Sequence, residues 1–242
     1  MADPTYPPLD TPKPVADGIW IVDGGPHRML GIPLPVRMSV VRLAAGGLWL
    51  HSPIHLSDRL AQALEALGPI EHLVAPSMGH WSYLKEWQRR YPQATTWAVP
   101  GLRRRPAVQK SGLRLDHDLT SIPPEIWEGE IRQALVPGAG FAECAFFHDA
   151  SRTAILTDLI VNVEPEKMPA LLRPVVRLLG VAAPDGSTPP YVRALVRRRR
   201  EQAAEAGQRI LDWGAERVVF AHGRWFERDG AAELRRRLSW LV

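Results

Sequence analysis

The chain of 242 residues predicts an α/β fold. Two features carry that reading. Between residues 48 and 98, short apolar runs alternate with helix-periodic stretches, the rhythm of a βαβ unit. From 130 to 162, three strand-like segments follow one another with turn residues between them, as in a β-meander. At 45% hydrophobic content the chain is rich enough in apolar residues for one large domain with a substantial core.

The elements can be taken in order. The first 16 residues contain five prolines and few apolar side chains, so they are expected to form an extended arm, with the domain beginning at Asp17 and running to Val242. GIWIVDG alternates like a strand, and RMSVVRL and LWLHSP, joined through Gly46 and Gly47, read as a hairpin. LSDRLAQALEALG has Ser57 or Asp58 as its cap, apolar residues at helical spacing and Gly68 at its stop. HLVAP then supplies a strand, WSYLKEWQRRY a helix starting directly after His80, and TTWAVP another strand. Residues 101 to 124 show little periodicity and read as a surface connection. EIRQALVPG and the two halves of AECAFFHDASRTAILTDLIVN form the meander, hinged at HDASR. A helical insertion is expected at about 164–190, where MPALLRPVVRLLG is apolar enough to line a cleft, to pack as core or to meet a second subunit, with packing as the default. One long helix follows in PYVRALVRRRREQAAEAGQRILDWG, then the strand RVVFAHG and the closing helix GAAELRRRLSWL.

Composition narrows the function. Cys144 is the single cysteine, which excludes an internal disulfide and any multi-cysteine zinc site. No apolar stretch reaches the roughly 18 to 20 residues that span a bilayer, and no secretory leader is visible, so a cytoplasmic protein is expected. The net charge is +4, and the arginine runs at 103–105, 197–200 and 235–237 read as solvated helix faces rather than as a nucleic-acid surface. A small molecule is the expected partner, with a homo-oligomer left open.

Three polar residues stand at strand ends. His80 follows the strand at 72–75, Asp158 ends the strand at 153–157, and His222 ends the strand at 217–220. Each has an ordinary structural reading, as a helix cap, an acceptor in a turn and a turn histidine. Together they occupy the carboxyl ends of strands, where open α/β sheets gather functional groups. Two imidazoles and a carboxylate suit Zn²⁺, Fe²⁺ or Mn²⁺. Trp81, Tyr83, Trp97 and Trp225 are candidate walls of a pocket, with packing as their default role.

The segments LWLHSPIHLSDRL, VAPSMGHWSYLKEWQRRYPQA, FFHDASRTAILTDLI and VVFAHG resemble the metallo-β-lactamase superfamily, and within it an uncharacterised family known as a domain of unknown function. The resemblance implies a four-layer αββα sandwich with its site at one edge of the two sheets. It implies that His80 corresponds to the surviving histidine of the His-x-His-x-Asp-His segment, Asp158 to the bridging aspartate and His222 to the late histidine. The remaining ligand positions fall on Ala75 to Gly79 and near Ala139, which supply no usual ligand. The expectation is therefore one divalent metal ion, zinc first, held by His80, Asp158 and His222, in a metal-dependent hydrolase with His80 and Asp158 as its catalytic residues. The alternative is an inactive member of the fold that binds a small molecule or a protein. Glu143 is expected either to turn a carboxylate inward or to stand exposed at a strand start. His51 is expected to border the pocket or to hydrogen-bond across it, and His27, His72, His117 and His148 are expected to lie outside the site.

Overall fold

Two β-sheets face each other, and helices cover the outer face of each. The computed structural model describes residues 3–29 and 31–242. The first sheet has seven strands in the order β1-β2-β5-β6-β7-β8-β9. They are β1 (Lys13–Ala16), β2 (Ile19–Asp23), β5 (Arg37–Arg42), β6 (Leu48–His51), β7 (Ile70–Ala75), β8 (Thr95–Ala98) and β9 (His117–Asp118). Strands β3 (His27–Met29) and β4 (Ile32–Leu34) form a separate hairpin. The second sheet holds β10 (Ile131–Gly138), β11 (Phe141–His148), β12 (Thr153–Asn162) and β13 (Arg217–Gly223) in chain order. Each sheet begins antiparallel and turns parallel, from β6 onward in the first and between β12 and β13 in the second. The parallel ends of the two sheets carry the site.

Layering follows from the two-residue period of the strands. On β11, Cys144 and Phe146 enter the core between the sheets, while Ala145 and Phe147 enter the core beneath the outer helices. Helices α1 (Asp58–Glu65), α2 (Leu84–Arg90) and α3 (Pro106–Ser111) belong to the first sheet's side. There α1 buries Leu60 and Leu64, and α2 buries Leu84 and Trp87. The insertion carries α4 (Arg173–Leu178). Helices α5 (Pro190–Arg197), α6 (Arg200–Asp212) and α7 (Gly230–Leu238) cover the second sheet with Val192, Val196, Ile210, Leu234 and Leu238. This is the αββα sandwich expected from the resemblance. Among the described residues, no helix is long and apolar enough to cross a membrane.

Several local expectations need correction. The last four residues of the proline-rich arm form β1, which pairs with β2, and Leu9 makes a further bridge to Asp23. The surface connection at 101–124 contains α3 and the edge strand β9. The helix after His80 starts at Leu84, because residues 80–83 first make a turn. The long helix near the C-terminus breaks at Arg198 and Arg199, where Arg199 leaves helical geometry with ψ 37°. Ser57 does cap α1, accepting from the Leu60 N–H at 3.2 Å.

Candidate metal centre

The chain crosses from one sheet to the other directly after β7. Pro76 accepts from the Cys144 N–H at 2.7 Å, and the Met78 N–H reaches Ala142 O at 3.3 Å, so residues 76–78 lie along β11. This crossing brings the end of β7 beside β12. Ser77 is fully buried there, and its hydroxyl donates to Asp158 Oδ2 at 2.9 Å. His80 follows at the mouth of the turn. Its Nδ1 lies 2.6 Å from the Ser52 hydroxyl. Ser52 directly follows β6 with φ 57°, an uncommon conformation for a residue with a side chain.

Asp158 is placed by a bulge, where a strand end was expected. Strand β12 continues to Asn162, but between the pairs Leu156–Phe220 and Val161–His222 its four residues 157–160 lie opposite Ala221 alone. The backbone N–H groups freed by the bulge need acceptors. Glu143 supplies them. Its fully buried carboxylate accepts from the N–H of Thr157 at 2.7 Å, of Asp158 at 2.8 Å and of Leu159 at 3.0 Å. Burial, and then the neighbouring Asp158 charge, raise the Glu143 carboxyl, while the backbone donors pull the other way and favour its charged form. Glu143 is thus turned inward, toward the backbone that carries the candidate ligand.

His222 lies within β13, which runs on to Gly223 instead of stopping at Phe220. Its Nδ1 is 2.7 Å from Pro35 O. A carbonyl oxygen only accepts, so Nδ1 carries a proton and Nε2 is the ring nitrogen that faces the site, as a lone pair whenever the ring is neutral. Arg37 closes the same corner by donating to Phe220 O at 3.1 Å and Gly223 O at 2.7 Å, and it pairs with the buried Asp23 at 2.8 Å. Gly223 has φ 98°, and a Cβ there would stand 2.1 Å from Asn162 O. Glycine is needed after His222 because β12 passes so close.

These elements bring the three residues together. Asp158 Oδ1 lies 3.4 Å from His80 Nε2 and 3.6 Å from His222 Nε2, and the ring centroids are 5.1 Å apart. One donor atom from each residue falls within 4.8 Å of the others, and this is the single His/Cys/Asp/Glu cluster of that kind among the described residues. Burial alone would raise the Asp158 carboxyl; the His80 ring, and then His222, outweigh it and hold that carboxyl well below the usual carboxylate range.

A family model described as a domain of unknown function, DUF4336, matches residues 16–183. The chain belongs to the DUF4336 family. Solved metallo-β-lactamase structures share the fold of this DUF4336 protein. The metallo-β-lactamase from Pontibacter korlensis is 14% identical with a TM-score of 0.62, over 95% of this chain and 97% of that one. FIM-1 from Pseudomonas aeruginosa in its mono-zinc form is 15% identical with a TM-score of 0.59, over 95% and 94% of the two chains. A putative diflavin flavoprotein A 5 fragment from Nostoc sp. PCC 7120 is 11% identical with a TM-score of 0.61, over 96% and 94%. No curated protein matches the sequence. At these identities the likeness establishes the fold.

Other residues of the DUF4336 protein take places the sequence did not reveal. His51 lies buried under the site, stacked on Trp49 with centroids 5.6 Å apart, and its Nε2 has no hydrogen-bond partner. Desolvation, with His80 nearby, holds it well below its ordinary value. His27 does have a partner, the Tyr83 hydroxyl at 3.0 Å, and it lies near enough to His222 and His80 for their charges to add to desolvation in lowering it. His72 bonds to Trp97, and His148 to Ser151 at the far end of β11. Trp97 packs in the aromatic core against Trp127 and His72, and Trp81, Tyr83 and Trp225 are half-buried packing residues. Tyr191, 56% exposed at the start of α5, is close enough for Asp158 and Glu143 to join desolvation in pushing its phenol up to about 12.

Proposed function

We propose that this protein is a metal-dependent hydrolase acting on a small molecule in the cytoplasm, with one divalent ion held by His80 Nε2, Asp158 Oδ1 and His222 Nε2. One observation carries the reading. Both imidazoles have Nδ1 engaged, by Ser52 and by Pro35 O, and both turn Nε2 toward a single carboxylate oxygen. With His222 in its neutral form this sets a lone pair against an anion, an arrangement that a cation between them satisfies. Bonds of about 2.0 to 2.1 Å in a tetrahedral site separate ligand atoms by about 3.3 Å. The 3.4 and 3.6 Å separations between Asp158 Oδ1 and the two Nε2 atoms are close to that spacing, and all three donor atoms lie within 4.8 Å of one another.

Two nitrogens and one oxygen favour zinc first, with iron or manganese next. Such an ion, when bound, lowers the pKa of water to about 7 and polarises an ester, amide or phosphoryl oxygen. The protein's own groups orient the set. Ser52 aligns the His80 ring, Pro35 O fixes the tautomer of His222, and Ser77 engages Asp158 Oδ2 so that only Oδ1 faces the histidines. That last contact favours one ion over a pair. The lack of usual ligand side chains at Ala75 to Gly79 and at Ala139 favours a second reading, a binding protein without metal and without turnover.

Metal analysis of protein purified without chelators separates the two. About one equivalent of a transition metal, lost in His222→Ala and in Asp158→Ala, together with hydrolysis of nitrophenyl ester or phosphodiester reporters, is expected. Metal below about a tenth of an equivalent, with no uptake when zinc, iron or manganese is added, removes the mechanism.

A further inference from the structure

The insertion after β12 is anchored on one side and bare on the other. A 3₁₀ turn at Ala170–Leu172 leads into α4, and Leu179 caps it. Val176 is buried with Met168 and Val181 against Val161 and Val163, and Leu172 packs beside them. The opposite face departs from the default of packing. Leu171 is 90% exposed, Leu178 88%, Val175 41% and Leu179 39%, and Pro174 is exposed between them. Positions 171, 174, 175, 178 and 179 follow the i, i+3, i+4, i+7, i+8 spacing of one helix face.

Charge along this helix is of one sign. Arg173 and Arg177 line one border of the apolar stripe, Leu172 and Val176 anchor the other, and residues 167–180 contain no acid. Neither arginine forms a salt bridge among the described residues; Arg173 donates to Met168 O at 3.3 Å and Glu166 O at 3.4 Å, while Arg177 is exposed beside the stripe. The stripe is too small for a stable self-association, since it offers a few hundred Å² where a lasting dimer buries about 800 Å² on each partner. An apolar stripe edged by arginines matches the boundary between acyl chains and anionic headgroups, where leucines enter and arginines reach the phosphates.

We propose that the 170–179 face docks this protein on an anionic lipid surface. The helix is already held by its buried side, so docking requires no folding of the segment. The full-length protein is tested by flotation with vesicles of phosphatidylcholine mixed with phosphatidylglycerol, and with phosphatidylcholine alone. Binding to the mixed vesicles, weak binding to neutral ones and release by salt are expected. The Leu171→Glu, Leu178→Glu double variant should lose it; both leucines are almost wholly exposed, and an unchanged thermal transition verifies the fold. Arg177→Gln should bind about fivefold more weakly. Absence from the mixed vesicles at low salt overturns the proposal, as does a double variant that floats like the wild type. So does a concentration-dependent dimer that the double variant dissolves, which would make the face a contact between copies. None of these readouts uses the metal.

Discussion

The carboxylate of Glu143 accepts the backbone N–H of Asp158 at 2.8 Å, together with the N–H groups on either side of it. An acid placed by its sequence position near the candidate ligand set therefore acts on the main chain of a candidate ligand. The bulge that aims Asp158 at His80 and His222 has no ladder partners over residues 157–160, and Glu143 takes their place.

Removing that carboxylate should be costly. Glu143→Ala strands three backbone donors in a dry interior, and a loss of about 3 to 5 kcal/mol in urea unfolding is expected. A loss of under about 1 kcal/mol would mean that other acceptors or water satisfy the bulge. Metal affinity should fall with it, because Asp158 loses its fixed position.

Ser52 orients His80 without belonging to the candidate ligand set. Ser52→Ala should leave the fold intact and weaken zinc binding about 10- to 100-fold, as outer-shell partners of histidine ligands do. Isothermal titration of chelator-treated protein reads this directly. An unchanged affinity would show that the 2.6 Å contact is incidental.

Gly223→Ala forces a Cβ to within 2.1 Å of Asn162 O at a residue with φ 98°. Either β12 and β13 separate or the backbone of His222 rotates. A destabilisation of about 2 to 4 kcal/mol by thermal or urea unfolding follows. A variant as stable as the wild type would contradict the close approach of these strands.

Buried histidines set the acid response. Desolvation holds His72 down to about 4 and His51 well below 6.5. Between pH 6.5 and 4 the unfolded chain takes up protons that the folded chain refuses, so stability is full above 6.5 and is lost as pH falls toward 4. Urea unfolding across that window should show it, and His72→Gln should flatten the slope by about 1 kcal/mol per pH unit. If the slopes of variant and wild type coincide, His72 is not held neutral in the folded protein.

Much of the architecture was legible in the linear chain because it rests on local patterns. Alternation in GIWIVDG and RMSVVRL, helical spacing after Ser57 and the meander from 131 to 162 each need only neighbouring residues. His80, Asp158 and His222 could be singled out for the same reason, since strand ends are marked by nearby turn residues. Their mutual approach could not be read from the chain, because His80 and Asp158 are 78 residues apart. The bulge in β12 was equally hidden, and so Asp158 was expected at a strand end. A bulge depends on which residues lie opposite, a property of the partner strand.

What the amino-acid order determined by itself was the α/β class, the run of most strands and helices, and three candidate ligands, because propensity and periodicity act over a few residues. Only the tertiary structure decided that both Nε2 atoms meet Asp158 Oδ1, that Glu143 holds the bulge and that α4 keeps an apolar face in solvent. Each of those depends on long-range packing, where the direction of a side chain is set by strands and loops remote in sequence.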